Sequence, residues 1–529
     1  MDSRAPQNGL SLVKGPAQPP LFELTLGQLA DQQAARYGDK EAVLIGWTHA
    51  RITFRDLSLR TKELARGLLA MGVGKGDRVA IFSGDDERRN KLTARGNRLS
   101  DPCILFVSDE VNRKQTMPLL QHLRKRRGSI NHVVMIRWDQ LPHRIEPTWD
   151  DVLDAARSVA TSELEQVETT VDPHSTVNLQ FTSGTTGVPK AAMLTHYNIT
   201  NNGFFMGEYL ELNPDDILCC GPPLFHCFGL VAGLMATFTH GACVGFAGRD
   251  FDAAQVVDML VRESCTALHG VPTMFTAIMQ HMNRTGVKIN TVKKGIAAGT
   301  KVPPALAAEV KKCLGYEHVS ITDSAEDKLG TVGRVMPHAS AKVVDKEGNI
   351  VPVGERGEIC TAGYLLQQGY YKAPEKTAEV MIRDKEGVLW MNTGDEATID
   401  ERGYVRITGR IKDIIIRGGE NIYPLEIEER LLHHPAISQA SIVGVKDERY
   451  GEAVTACLAV RPGMPKPHDE TVRAWVHEEL GRHKAPQHII WVGREEAIAE
   501  YPATGSGKIR KDILSQLAAK ALQGPISKL

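Results

Sequence analysis

Residues 179 to 190 read LQFTSGTTGVPK, and the fold and the chemistry of the chain both turn on this stretch. Upstream, Val177, Leu179 and Phe181 alternate with polar neighbours as the residues of a strand do. A loop of small hydroxylated residues and glycines follows. Gly184 and Gly187 carry no Cβ, so the backbone there can come close to an anion. The hydroxyls of Thr182, Ser183, Thr185 and Thr186 can donate to phosphate oxygens, and Lys190, reached through Val188 and Pro189, adds a cation. This is not a Walker loop, which needs Gly-Lys followed by Ser or Thr; neither Gly74-Lys75 nor Gly507-Lys508 is so followed. A Gly/Thr-rich loop by itself is compatible with a plain turn as well as with phosphate binding.

Outward from the loop the chain alternates between helix and strand patterns. Thr25 and Gln28 form a capping-box pattern ahead of Leu26, Leu29 and Ala30. Thr53 opens a second helix, in which Phe54, Leu57, Leu64, Leu68 and Leu69 recur near helical spacing and Gly72 is the stop. Strands are expected at 78–82, 104–107 and 132–136. This alternation predicts an α/β architecture with largely buried sheets. A boundary is expected near Arg410–Lys412, where GYVRITGRIKDIIIRGGENIYP packs two strand-like runs around glycines. Beyond it, Pro424 suits the first position of a helix, with Glu426, Glu428 and Glu429 near its start. The expected division is therefore 1–409 and 410–529.

Composition removes several classes of function. The chain has 529 residues, 63 Lys+Arg against 64 Asp+Glu, 42% apolar and 24% charged residues. That length corresponds to roughly three or four domain-sized units or two large ones. The near-zero net charge argues against a nucleic-acid binder, which would show a basic excess or stripe. The apolar and charged fractions exclude disorder and collagen. Nine cysteines without a C-x-x-C pair make neither a disulfide nor a zinc framework, and the expectation is an intracellular protein with buried thiols at Cys219 and Cys220. No secretory signal is read at the N-terminus. Residues 217–248 hold no Asp, Glu, Lys or Arg and are long enough for a bilayer. Gly221-Pro222-Pro223, His226 and His240 interrupt them, so buried core is expected rather than a membrane span. The chain ends Ser527-Lys528-Leu529, a receptor-read peroxisomal address, so the import receptor is an expected partner.

Four ordered motifs identify a resemblance: LQFTSGTTGVPK, TGD at 393–395, GRIKDIIIRGGENIYP at 409–424 and PATGSGK at 502–508. Together they resemble the adenylate-forming enzymes, which comprise acyl-CoA synthetases, luciferases and peptide-synthetase adenylation domains. Within that family the chain is most similar to fungal peroxisomal acyl-CoA ligases of medium-chain type, including those that activate acids for siderophores or toxins. The resemblance implies a large N-terminal α/β portion of packed subdomains and a small mobile α+β C-terminal domain. It also implies ATP, Mg²⁺ and CoA, with a carboxylic acid as the fourth participant. Acid and ATP would give an acyl-adenylate and pyrophosphate; the CoA thiol would then displace AMP.

By the same resemblance, residues Thr182 to Lys190 cradle the β- and γ-phosphates. Asp395 takes the ribose hydroxyls with Arg410 in support, Ala298-Gly299-Thr300 flank adenine, and Lys412 is the hinge. Lys508 would reach the α-phosphate and the carboxylate and carry catalysis together with Thr185 and Lys190. Gly418, Gly419 and Glu420 would line the pantetheine tunnel. His226 and Phe228, in PLFHCFG, would stand at the acyl pocket, with His269 and Val271 lining it. No protein ligand to the metal is assigned.

Two stretches depart from the family pattern. The family carries Tyr-Gly-x-Thr-Glu before a Val-Gly-Arg run; its Thr meets the α-phosphate and its Glu helps to hold Mg²⁺. Here the corresponding segment reads GYEHVSITDSAEDK, with Thr322-Asp323 and Glu326 as the nearest substitutes. The second departure is GDDERRNKLTARGNRLS at 84–100, polar where the family has an apolar helix and a strand. Two readings stand side by side: an ATP-dependent acid–CoA ligase, or an impaired homologue or incomplete gene product that binds nucleotide or acyl-CoA without turnover. A peptide-synthetase domain is disfavoured, because no carrier-protein segment follows Lys508.

Overall fold

The computed structural model of the chain describes residues 5–6, 8–82, 101–108, 110–111, 114–116, 130–136, 147–182, 190–299, 302, 304–314, 327, 330–503 and 509–523. The two capping patterns near the N-terminus form as read. Thr25 Oγ1 accepts from the Gln28 amide at 3.2 Å and Gln28 Oε1 from the Thr25 amide at 2.9 Å, opening helix Leu26–Tyr37. Thr53 caps helix Phe54–Ala70 in the same reciprocal way with Asp56. Each such cap is worth about 1 kcal/mol.

The central sheet explains the charge-free stretch. Strands Lys294–Ala297, Ala267–Gly270, Ile217–Cys220, Cys243–Phe246 and Glu41–Ile45 run parallel in that order, and Ala50–Thr53 closes the edge antiparallel. Parallel sheets are covered on both faces, so their strands need apolar residues at every position. Cys219 and Leu268 face Leu260, Phe275 and Met279 of helices Ala253–Arg262 and Pro272–Thr285. Leu218, Cys220 and Val244 face Leu29, Phe54, Ile199 and Phe238 on the other side. The thiols of Cys219 and Cys220 are buried, and burial pushes the Cys220 thiol up to about 12. No helix among the described residues is long and apolar enough to cross a membrane.

A second parallel sheet joins Val79–Phe82, Ile104–Val107 and His132–Met135, within one residue of the expected bounds. An antiparallel sheet of Leu12–Lys14, Ala339–Val344, Gly357–Gly363, Leu389–Ile399 and Met381–Arg383 also takes Val405–Arg410 against Leu389–Ile399. After Arg410 the chain builds a sheet of its own from Ile415–Arg417, Glu420–Ile422, Ile437–Asp447, Gly451–Val460 and His488–Trp491. Helices Pro424–Leu432 and Asp469–Leu480 pack on one face through Ile427, Leu431, Val472 and Val476, all fully buried. Each fully buried side chain of that size contributes about 1.5–3 kcal/mol. Helix Lys511–Leu522 covers the other face through Leu514 and Ala518. Pro424 stands at the start of its helix as expected.

Candidate active site

Strands Thr176–Thr182 and Lys190–Thr195 form an antiparallel hairpin in which Thr182 and Lys190 are register partners. The strands on either side of the expected phosphate loop are therefore paired with each other, up to Thr182 and Lys190. Loop residues 183–189 (Ser183, Gly184, Thr185, Thr186, Gly187, Val188 and Pro189) lie outside the described residues, as do Thr300, Lys508 and the 527–529 terminus. The stem is held from three sides. Residues 368–371 run alongside through an isolated antiparallel bridge between Ala192 and Tyr370, with the Met193 amide donating to the Gly369 carbonyl at 2.9 Å and the Tyr371 amide to the Ala191 carbonyl at 2.8 Å. The Gln180 amide group donates to the Phe225 carbonyl. Just beyond the hairpin, Thr195 and Asn198 make a reciprocal cap on helix His196–Tyr209, and Asn198 also donates to the Tyr364 and Leu366 carbonyls. The Lys190 ammonium lies 4.8 Å above the Tyr370 ring, which keeps the cation beside the loop without neutralising it.

Asp395 and Arg410 face each other on adjacent strands, and Arg410 Nε lies 2.9 Å from Asp395 Oδ1. Both side chains keep partial exposure, so the carboxylate retains lone pairs for further donors. Just before Asp395, strand Leu389–Ile399 shifts register against its neighbour, and Glu358 of that neighbour accepts from the Gly394 amide at 2.9 Å and from the Asn392 amide group at 3.0 Å. Gly394 sits at φ +73°, a conformation that favours glycine. Sequence reasoning missed Glu358 and Tyr370. Nothing in a single chain marks Glu358, because its partners lie 34 and 36 residues away.

Open parallel sheets bind ligands at the carboxyl ends of their strands. The Gly221-Pro222-Pro223 turn leaves strand Ile217–Cys220 there and leads through His226 into a π-helix, Phe228–Met235. Wide turns of this kind recur at functional sites. His226 is half-buried and its Nδ1 accepts from the Phe228 amide at 3.1 Å. Val271 caps helix Pro272–Thr285, and a Cβ on Gly299 would sit 3.1 Å from Val271 Cγ1. The Ala298 amide donates to the Gly270 carbonyl at 3.3 Å. The acyl-side and adenine-side expectations thus converge on one edge of the sheet.

His269, expected to line the acyl pocket, is 0% exposed. Its Nε2 lies 3.0 Å from the Ala232 carbonyl, its Nδ1 accepts from the Ile296 amide at 3.0 Å, and its ring packs 5.5 Å from Phe228. It stands in the core as a strut between these segments.

Past Arg410, Lys412 lies on the short turn Ile411–Asp413 and is held below the usual lysine range, chiefly by partial burial of its ammonium. Gly418 and Gly419 form the two-residue tip between Ile415–Arg417 and Glu420–Ile422, at φ +62° and +88°. Two positive φ values are the signature of a type I′ turn. The Gly418 amide donates to the Tyr450 carbonyl at 2.7 Å, and Glu420 is exposed beside it. Among the described residues no three His, Cys, Asp or Glu side chains group as a metal site. Asp327, the acidic residue after Glu326, is engaged by Arg402 at 2.6 Å.

Comparison with known proteins places the chain in a family. The AMP-binding enzyme family model matches residues 30–85 and 98–371, and the AMP-binding enzyme C-terminal domain matches 426–508. The omission of 86–97 falls inside the departure read at 84–100. The chain is 44% identical to acyl-CoA ligase sidI of Beauveria bassiana, covering 98% of this chain and 97% of that protein. It is 43% identical to acyl-CoA ligase sidI of Aspergillus fumigatus, covering 99% and 96%. The first alignment spans 562 positions, more than the 529 residues available, so segments of the relative face gaps here. In fold it resembles the anthranilate CoA ligase AuaEII in complex with anthranoyl-AMP, with a TM-score of 0.80 and 21% identity over 96% of this chain and 99% of that one. The chain belongs to the AMP-binding, adenylate-forming enzymes, among their acyl-CoA ligases.

Proposed function

We propose that this AMP-forming acyl-CoA ligase activates a fatty acid or a secondary-metabolite carboxylic acid, such as a siderophore or toxin precursor, inside the peroxisome. The observation that carries the nucleotide half is the Asp395–Arg410 rung, which presents an oriented, acceptor-only carboxylate held by the residue that ends the neighbouring strand. The acid carboxylate attacks the α-phosphorus of ATP, forming acyl-AMP and releasing pyrophosphate. The CoA sulfur then attacks the acyl carbonyl, AMP leaves, and the thiol proton passes to solvent. In this reading Thr182, Lys190 and the loop between them hold the terminal phosphates. Lys508 offsets the charge that builds on the carboxylate and α-phosphate, where one such donor is worth about 3–4 kcal/mol. Ala298, Gly299 and Thr300 flank adenine, while His226, Phe228 and Val271 bound the acyl side.

Mg²⁺ would arrive with the triphosphate and neutralise part of its charge. No three-residue metal cluster of the chain is available to it among the described residues, and no step is assigned to it. The Gly418-Gly419 tip would face CoA in the second half, with residues 410–529 turning about Lys412 relative to 1–409. Peroxisomal residence, and with it the import receptor as partner, is supported by Ser527-Lys528-Leu529. The test is a panel of carboxylic acids, scored for pyrophosphate release and for CoA thioester. A chain that binds ATP yet forms neither product with any acid would refute the reading.

A further inference from the structure

We propose that His269 is the positioning residue that couples the acyl side of the site to its adenine side, one ring nitrogen holding the π-helix after His226 and the other holding the strand that leads to Gly299. The proposal rests on the ligase reading of the two sides. A backbone carbonyl can only accept and a backbone amide can only donate. The contacts to the Ala232 carbonyl and the Ile296 amide, both 3.0 Å, therefore require one tautomer, protonated on Nε2 and bare on Nδ1. Ala232 lies in the π-helix Phe228–Met235, and Ile296 lies in strand Lys294–Ala297, which runs into Ala298 and Gly299.

The ring is locked on its remaining sides. His269 is register partner to Cys220 on one flank and to Ile296 on the other, and its own carbonyl accepts from the Gly221 amide at 3.1 Å. Phe228 packs against its ring, so the first residue of the π-helix is fixed by contact and the fifth by a hydrogen bond. Burial holds the imidazole down at about 4, so it stays neutral and keeps that tautomer at physiological pH. Both ring nitrogens of a buried histidine must find partners; here those partners, the Ala232 carbonyl and the Ile296 amide, lie on the two segments that the ligase reading gives to the acid and to adenine.

The two bonds can be cut separately. In His269→Asn the side-chain oxygen still reaches the Ile296 amide but the side chain is too short for Ala232. In His269→Gln the terminal amide still reaches Ala232 while the Ile296 bond is lost. Binding is measured with 5′-sulfamoyladenosine and with its N-decanoyl derivative, whose affinity ratio isolates the acyl contribution. One lost buried hydrogen bond corresponds to about a tenfold loss of affinity. His269→Asn is expected to cut the acyl ratio about tenfold and leave sulfamoyladenosine within about twofold, with His269→Gln showing the opposite pattern. Equal losses on both sides in both variants, or no change in either, would overturn the coupling.

Because the readout is binding, it stands apart from turnover. If the wild-type chain binds both analogues but releases no pyrophosphate, the ligase reading fails while the coupling is still decided. Should either variant not fold, ¹⁵N-histidine spectra of the wild-type chain decide the tautomer. A neutral Nε2–H ring from pH 8 to 5.5 is required, and an Nδ1–H or doubly protonated ring would overturn the proposal.

Discussion

Asp395 and Arg410 are register partners on adjacent antiparallel strands and close a 2.9 Å ion pair one residue before the turn that carries Lys412. The guanidinium is anchored by the same ladder that places the carboxylate, so the pair presents one oriented acceptor. Asp395→Asn keeps the shape and removes the charge. Hydrogen bonds to charged groups are worth about 1.5–3 kcal/mol, so the KM for ATP should rise roughly ten- to hundredfold. The KM for the acid should move much less. Arg410→Gln should give a smaller rise, and the double variant should cost less than the sum of the single ones, because the two act as a unit. Steady-state pyrophosphate release, varying each substrate in turn, checks all three.

The tip at Gly418-Gly419 yields a backbone prediction. An L side chain in the left-handed region costs about 1–2 kcal/mol, and asparagine tolerates it better than most residues. A Cβ on Gly419 meets nothing within 4 Å, so its substitution tests conformation without a clash. Gly419→Val should slow thioester formation well below the rate of Gly419→Asn. Pyrophosphate release in the first half-reaction should stay near wild type in both. Separate single-turnover assays of the two halves distinguish this from general damage, which would slow both.

Acid should weaken the fold through His269. Its folded value of about 4 lies below the 6.5 of a free imidazole, so the unfolded chain takes up the proton first as pH falls. Stability is whole above pH 6.5 and is lost progressively between 6.5 and 4. A shift of that size corresponds to about 3 kcal/mol at its limit. His196, His434 and His488 are also held down, chiefly by burial, and add to the same trend. The clean measurement is therefore a difference: the melting temperature of wild type minus that of His269→Gln should shrink from pH 7.5 to pH 4.5. A constant difference would show that His269 takes no part.

What could be read along the chain was whatever depends on neighbours in sequence. Thr25 with Gln28 and Thr53 with Asp56 cap their helices through bonds three residues long, and Pro424 starts its helix because its ring presets φ. The motifs named Asp395 and Arg410 but could not show that the fourteen intervening residues fold back to pair them. Glu358 was invisible for the same reason. The burial of His269 and its two backbone partners were hidden because Ala232 and Ile296 lie 37 and 27 residues away. The charge-free stretch was legible as core, whereas its π-helix was not. That helix depends on Gly229, where a Cβ would lie 2.3 Å from the Pro223 carbonyl, and on Gly233, where it would meet the Cys220 sulfur at 2.6 Å.

The last prediction concerns the two departures from the family pattern. The chain has no Tyr-Gly-x-Thr-Glu, and Asp327, the described acidic residue closest in sequence to the expected position, is bound to Arg402. The first half-reaction should therefore be limiting, since it builds charge on the α-phosphate that the missing Thr and Glu would offset. A chain in which residues 315–329 are replaced by the corresponding segment of the Beauveria relative should release pyrophosphate about 10²–10³-fold faster, the range set by one preorganised donor. ATP affinity should change far less, because the Asp395–Arg410 rung and the strands paired at Thr182 and Lys190 are untouched. The second half-reaction supplies the control. Given synthetic acyl-AMP and CoA, the present chain and the restored one should make thioester at similar rates, since the Gly418-Gly419 tip is the same in both. If restoration leaves pyrophosphate release unchanged, the limit lies elsewhere, and transplanting the relative's segment across 84–100 locates it.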